Sequence, residues 1–269
     1  MRTAYVTTLC NGAGYVPGVE ALGRSLVRTD TPHDRLLLVT DDVPLDAVHA
    51  LTNDGWRAHK IDPTENPNPS TDQFFARFAN TFTKLRAFEL EEFDKLVLLD
   101  ADTIALQNID DLFERPGVSA APDFLLPDRF NSGVLVIEPK KELFSRMMEQ
   151  LFTSASYDGG DQGFLNTFFP DWYSGPAAHR LPAGYNLHQF IFQFLRAHPA
   201  LMVQLEREAK IIHYTVQKPW LSTSTLAGGS EAWWDMYFDA HPEQASGWRR
   251  RVHAIEDWSF DQMLRTVLT

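Results

Sequence analysis

Two carboxylates separated by one small residue close an apolar run, Leu96-Val97-Leu98-Leu99-Asp100-Ala101-Asp102. A strand that ends in this way sets both side chains at its C-terminal edge, where ligands of open α/β sheets bind. Hard carboxylate oxygens suit Mg²⁺ or Mn²⁺, and a cation held there bridges diphosphate oxygens that the carboxylates alone would repel. A second run, Lys210-Ile211-Ile212-His213, delivers an imidazole and, five residues on, Lys218, whose ammonium can neutralise a phosphate. One nitrogen donor beside two carboxylates favours Mn²⁺ over Mg²⁺. Each feature also has a plainer reading. Asp-x-Asp occurs on surface turns, and a His after an apolar strand is commonly a hydrogen-bonded structural residue.

Other groups sit where predicted elements end. Thr8, Leu9 and Asn11 close the first β-rich run, with Tyr15 shortly after, and the end of a first strand borders the nucleotide crevice of such folds. Asp123, Asn131, Ser132, Asp161 and Gln162 are polar groups at the ends of predicted strands and helices, where they can converge over one ligand. Hydrogen bonds from such groups select a ligand, since an unmatched buried polar group costs roughly 1–3 kcal/mol. Asp161, in Gly-Gly-Asp-Gln-Gly-Phe, reads equally as the cap of the following helix. Lys84 falls on a helical pattern, where a lysine is ordinarily solvated.

The elements that must position these groups alternate. β-rich runs at Thr3–Leu9, Arg35–Thr40, Arg57–Ile61 and Lys95–Leu99 are separated by helical patterns at Gly18–Arg28, Leu45–Asp54 and Gln73–Phe93. That order implies βαβ units and a mostly parallel sheet. Leu96–Leu99 is apolar on both faces, as a central strand should be. Beyond Asp102 strands are expected at Val118–Ala121, Gly133–Ile137 and Lys210–Tyr214, and helices at Lys141–Phe152 and Gly163–Phe168. Asn66–Asp72 and Ser222–Ser230 read as mobile loops. Helical pieces around Trp233-Trp234 and over Phe260–Val267 are expected to close the chain.

Composition sets the outer limits. With 269 residues and 44% hydrophobic content the chain can build a sizeable core. A net charge of −12 argues against a broad nucleic-acid or anionic-membrane surface, though not against a metal-bridged anion. Cys10 is the sole cysteine, so no disulfide staples the fold, which suits a reducing compartment. The opening Met-Arg-Thr-Ala-Tyr-Val-Thr-Thr lacks the apolar core of a signal peptide, and no run approaches the roughly 20 apolar residues of a membrane span. The expectation is a soluble, cytoplasmic protein.

Seven segments then agree, in order, with one family. They are Leu99-Asp100-Ala101-Asp102-Thr103, Asn108-Ile109-Asp110-Asp111-Leu112-Phe113-Glu114, Ala120-Ala121-Pro122-Asp123, Phe130-Asn131-Ser132-Gly133-Val134, Gly160-Asp161-Gln162-Gly163, Tyr185-Asn186-Leu187 and His213…Lys218-Pro219-Trp220. Over nearly its whole length the chain resembles the glycogenin and galactinol synthase family, glycosyltransferase family 8. The resemblance implies a single GT-A-type α/β domain: a Rossmann-like, mostly parallel sheet flanked by helices. Within 1–269 it implies a nucleotide-binding half (1–102), a sugar and acceptor half (103–220) and a C-terminal helical appendage (221–269). It implies transfer of a hexose, with glucose or galactose favoured, from a UDP-sugar with retention of anomeric configuration. Mn²⁺ would be held by Asp100, Asp102 and His213, with Mg²⁺ as the substitute. Thr8, Leu9, Asn11 and Tyr15 would then take the uridine, Tyr15 by stacking. Lys84 and, less directly, Arg77 would reach the donor, as would Asp100, Ala101, Asp123, Asn131, Ser132 and Lys218. Asp161 and Gln162 would lie beside the anomeric carbon, either as nucleophile or as stabilisers of an oxocarbenium-like ion pair. The cation and Lys218 would stabilise the departing UDP.

The chain departs from glycogenin in one place that matters. Glycogenin glucosylates its own tyrosine shortly after Tyr-Asn-Leu, whereas here Tyr185-Asn186-Leu187 is followed by no tyrosine before Tyr214, and the matching position falls near Gln193. The chain also stops without glycogenin's long tail. An external carbohydrate, polyol or glycan acceptor is therefore expected. Phe190, Phe192 and Phe194 read as core or homodimer packing. Two other readings compete: a catalytically silent sugar-nucleotide-binding protein, and a haloacid-dehalogenase-type phosphatase using Asp100 and Asp102. The second leaves the His213–Trp220 segment without a role.

Overall fold

The computed structural model describes residues 1–67, 78–195, 198–215, 218–221 and 230–241. The chain divides into two compact units: residues 1–16, 32–101 and 110–183 in the larger, residues 17–31, 102–109 and 184–269 in the smaller. The chain passes between them at several points, and one passage is the Asp100-Ala101-Asp102 segment.

The larger unit is built on a six-stranded sheet. Strands β1 (Thr3–Leu9), β2 (Asp34–Val39), β3 (Arg57–Lys60) and β4 (Lys95–Leu99) run parallel in the order β3-β2-β1-β4. Two antiparallel strands, β7 (Phe130–Ile137) and then β6 (Ser119–Pro122), extend it beyond β4. Every residue of β4 and of β7 is buried. The continuous apolar run of β4 reflects that burial, because a strand covered on both faces shows no alternation. The helix Leu45–Asn53 connects β2 to β3. The helices Lys141–Gln150 and Asp161–Phe168 follow β7, and the first shares a core with Phe82, Phe88, Phe130, Phe164 and Trp172.

The stretch before β4 differs from its expected form. Instead of an α-helix over Gln73–Phe93, the described residues carry a 3₁₀ helix at Thr81–Glu89, and 68–77 lie outside them. Six of its nine residues are buried, Lys84 among them. An α-helix with one solvated stripe does not permit that pattern, and Thr81, Thr83, Phe82 and Phe88 are weak helix formers. Lys84 is thus a buried lysine rather than a solvated one.

The smaller unit holds a three-stranded sheet: β5 (Thr103–Ala105), β9 (Ile211–His213) and β8 (Leu187–His188), in that spatial order. β5 pairs antiparallel with β9, setting Thr103 opposite His213, and β8 pairs parallel with it, setting His188 opposite His213. The helix Val16–Arg28 contributes here through Ser25, whose hydroxyl accepts from Ala105 N–H at 2.9 Å. The core is aromatic, with Phe192, Tyr214, Trp233 and Trp234 around Ile104 and Ile212. Phe190 and Phe192 are buried, as core packing requires. The helix Ser230–Ala240 forms around the Trp pair as expected. The expected loop at 222–229, the helix at Phe260–Val267, Arg77 and the side chain of Phe194 lie outside the described residues. Among those described, no helix is long and apolar enough to cross a membrane.

Candidate functional site

In the larger unit the sequence-predicted polar groups form one connected chain. Strand β4 ends at Asp100, whose backbone N–H is held by Gly133 O at 2.9 Å. The 3₁₀ helix turns Lys84 inward, where its ammonium lies 2.6 Å from Asp100 Oδ1 and 3.0 Å from Asp161 Oδ2. Burial alone would pull the Lys84 pKa down, but the paired carboxylates outweigh it and hold the pKa above the ordinary lysine range. Lys84 is therefore a fixed positive charge. Ser132, on β7, donates its hydroxyl to Asp161 Oδ2 at 2.8 Å, so that oxygen accepts from two groups.

Gln162 extends the chain. Its Oε1 accepts from Ser132 N–H at 3.3 Å, and its Nε2 donates to Asp123 Oδ2 at 3.3 Å and to the Tyr157 hydroxyl at 3.0 Å. Asn131 Nδ2 reaches the same Asp123 oxygen at 3.3 Å. Burial, chiefly, pushes the Tyr157 hydroxyl up to about 12, so it stays protonated at neutral pH. The alternative reading of Asp161 as a helix cap does not hold. It is the first residue of the helix Asp161–Phe168, and Asp158 Oδ1 takes the N–H groups of Gly160 and Gly163 instead, at 2.9 and 3.0 Å.

The end of β1 adjoins this chain through Cys10, whose thiol interacts with Thr83 and Lys84. Leu9 has a fully buried side chain and can offer a ligand only backbone. Asn11 and Gly12 follow with φ of 62° and 77°, a left-handed pair that bends the chain sharply away from the strand. Gly12 N–H donates to Asp42 Oδ2 at 3.0 Å. Tyr15 is exposed. Among the described residues the buried Thr8 Oγ1 has no hydrogen-bond partner, a group that a bound ligand could satisfy.

The smaller unit presents the other charged cluster. Asp102 is buried beside His213, with Oδ1 3.2 Å from Nε2, and its Oδ2 receives the Lys218 ammonium. Burial would raise the Asp102 carboxyl, yet Lys218 and then His213 override it and hold the group well below the usual carboxylate range. Lys218 is anchored in turn by Tyr214 O at 2.6 Å. His213 Nδ1 lies 2.8 Å from Asn186 Oδ1, which fixes the orientation of the ring. A hard carboxylate oxygen beside an imidazole nitrogen is a donor set that suits a divalent transition metal. Asp100, two residues along the chain, offers a further carboxylate.

Sequence reading left Asp158, Tyr157 and Asn186 without roles. An acidic residue ahead of a Gly-Gly pair and a helix start was the available sign for Asp158. No sign marked Tyr157, because its contact with Gln162 depends on how the loop folds back.

No family model matches the chain. It is 35% identical over 254 residues to glycogenin-1 of Oryctolagus cuniculus, an alignment covering 87% of this chain and 75% of the rabbit protein. It is 36% identical over 252 residues to inositol phosphorylceramide glucuronosyltransferase 1 of Arabidopsis thaliana, covering 86% of this chain and 45% of the plant protein. The chain thus spans about half the length of that plant relative. Among solved structures, galactosyltransferase LgtC, in complex with donor and acceptor sugar analogs, superposes with a TM-score of 0.61 at 18% identity. That match covers 92% of this chain and 99% of LgtC. At that identity the likeness is one of fold, the GT-A fold of glycosyltransferases. The extent of the match to the rabbit protein, over a fold shared with LgtC, places the chain: it belongs to the glycogenin-like family of glycosyltransferases, family 8.

Proposed function

We propose that the chain is the catalytic domain of a metal-dependent retaining glycosyltransferase that moves a hexose from a UDP-sugar to an external hydroxyl acceptor. The observation that carries this reading is the buried Lys84–Asp161 pair, with the partly exposed Asp100 carboxylate on the same ammonium and Ser132 and Gln162 attached. Such an array is costly to bury and serves little purpose in packing. Asp100, Asp102 and His213 would hold the cation, with Mn²⁺ favoured by the imidazole donor. When bound, the cation supplies positive charge for the donor diphosphate.

The chain's own residues take the remaining roles. Lys84 offers fixed positive charge near the donor, and Lys218 is poised to exchange its hold on Asp102 for a phosphate oxygen. Thr8, Asn11, Tyr15 and the backbone of Leu9 would receive the uridine, and Asp123, Asn131 and Ser132 the sugar hydroxyls. Asp161 and Gln162 would lie beside the anomeric carbon. Asp161 Oδ2 already accepts from Lys84 and Ser132, which blunts it as a nucleophile and favours a role in stabilising positive charge on the sugar. The relatives bear names with different donors and acceptors, among them a UDP-glucuronate:xylan glucuronosyltransferase of Arabidopsis thaliana, so the sugar needs direct measurement. Family membership leaves the phosphatase reading without support.

The test is UDP release from UDP-glucose, UDP-galactose, UDP-glucuronate and UDP-xylose, with Mn²⁺ or EDTA, on the native protein and on Asp102→Ala. Mn²⁺-dependent release with one donor, lost in the variant, supports the reading and names the sugar. No release with any donor, and no metal-dependent UDP binding, would sink it and leave a silent binding protein.

A further inference from the structure

Gln162 commits its whole side-chain amide to neighbours. Ser132 N–H can only donate and the Asp123 carboxylate only accept, so the two contacts at 3.3 Å settle which end of the amide is oxygen and which nitrogen. One Nε2 proton goes to Asp123 Oδ2 and the other to the Tyr157 hydroxyl at 3.0 Å. In that second bond the phenol oxygen accepts, because an amide NH2 has only protons to offer. The phenol's own proton is left over, and among the described residues no hydrogen bond takes it up. With the pKa pushed up to about 12, chiefly by burial, that proton stays on the oxygen at neutral pH.

Depth separates Tyr157 from the groups around it. Asn131, Ser132 and Asp161 are buried, whereas Tyr157 is 47% exposed. Its loop is nevertheless firmly seated: a Cβ on Gly163 would come within 2.7 Å of Tyr157 N, so the backbone lies directly on the first turn of the helix Asp161–Phe168. At the rim of the array the phenol thus presents part of its ring and an uncommitted proton, with Gln162 between it and Asp123. An apolar ring with a polar tip suits a carbohydrate, whose C–H groups can lie on the ring while a hydroxyl takes the proton.

Charge narrows the class of ligand. The Asp158 and Asp123 carboxylates bear on the phenol more strongly than the Arg129 guanidinium does. Arg129 is itself held by Asp128 at 3.2 Å. A rim where carboxylates predominate favours a neutral ligand over an anionic one.

We propose that Tyr157 is a specificity-determining residue for the acceptor, its hydroxyl donating to a hydroxyl of a neutral carbohydrate or polyol that approaches over the exposed ring. The assignment rests on the transferase reading and adds to it the chemical class of the acceptor and the side from which it enters. The buried groups beneath serve the donor, and Tyr157 serves what arrives above it.

The experiment measures UDP release from the donor found above, first with water as the only acceptor and then with maltose, myo-inositol, xylobiose or galacturonate added. Native protein, Tyr157→Phe and Tyr157→Leu are compared. At least one of the three neutral compounds should speed native release, and galacturonate should not. For that compound kcat/KM in Tyr157→Phe should fall about 10-fold further than hydrolysis does, as expected for loss of one neutral hydrogen bond. Tyr157→Leu, which removes the ring as well, should fall further still. A transfer loss no greater than the hydrolysis loss in both variants would overturn the proposal, since Tyr157 would then act only through Gln162. A response to galacturonate alone, or to none of the four, would overturn it too. Failure of the transferase reading looks different: no donor is consumed even by water and no UDP binds with Mn²⁺, and the acceptor assignment falls with it.

Discussion

At the scale of single residues, two groups lend themselves to measurement. Asn186 Oδ1 lies 2.8 Å from His213 Nδ1 and so fixes the orientation of the ring. Partners of this kind typically account for about 10- to 100-fold in metal affinity. Asn186→Ala should weaken Mn²⁺ binding by that factor in a direct titration, with the fold intact by circular dichroism; unchanged affinity would show that His213 needs no orienting partner. Cys10 is governed by a different balance. Burial and then Asp42 push its thiol up to about 11 from 9.0, against the opposing pull of Thr83 and Lys84. At pH 8 the thiolate fraction should be about 100-fold smaller than in the unfolded chain, and reaction with a disulfide reagent slower by about that factor than in urea. The sign follows from proton binding: the folded state holds this proton more tightly, so the linked stability is complete below pH 9.0 and is lost as pH rises through about 11. Reaction at the unfolded rate would refute the raised thiol pKa. At this scale the sequence revealed residue type and not engagement. Asp100, Asp161 and Ser132 could be singled out from motifs, but that Lys84 ties Asp100 to Asp161 depends on a helical stretch whose form the pattern misread.

At the scale of elements, the strands were legible because burial dictates their composition. β4 and β7 are buried throughout and read as unbroken apolar runs, while the helix periodicities of Leu45–Asn53 and Lys141–Gln150 gave boundaries within two residues. The Thr81–Glu89 stretch was not legible as 3₁₀, since its nearly all-round burial erases the amphipathic stripe that distinguishes a surface helix. The joint between the helix Asp161–Phe168 and β7 was equally hidden. Asn166 imitates a neighbouring strand there: its Oδ1 accepts from Phe130 N–H at 3.0 Å and its Nδ2 donates to Phe130 O at 2.9 Å. Asn166→Ala would strand both groups of a fully buried residue, each worth about 1–3 kcal/mol. Urea unfolding should show a loss of about 2–4 kcal/mol, with kcat lowered because β7 carries Asn131 and Ser132 next to that joint. A stability within about 0.5 kcal/mol of native would mean that water or a backbone shift replaces the side chain.

At the scale of the whole molecule, the division into two units was the least legible feature. It follows no linker: the chain moves from one unit to the other inside a four-residue reach of Asp100-Ala101-Asp102-Thr103. Local pattern reports which stretches are strands but not which sheet each joins, and only three residues separate the end of β4 from the start of β5. Placing two acidic residues at a crossing has a thermodynamic consequence if both serve one cation, as proposed. A ligand that binds the folded chain and not the unfolded one stabilises the fold. Binding at about 100 times Kd adds roughly 2.7 kcal/mol. For a chain of this size that corresponds to a rise in Tm on the order of 5–10 °C. Mn²⁺ with UDP should therefore raise the calorimetric Tm by that amount in a single transition, and EDTA should reverse it. UDP without metal should give little, because a protein of net charge −12 repels an anion that no cation bridges. An unchanged Tm with Mn²⁺ and UDP together would count against a metal-bridged nucleotide site.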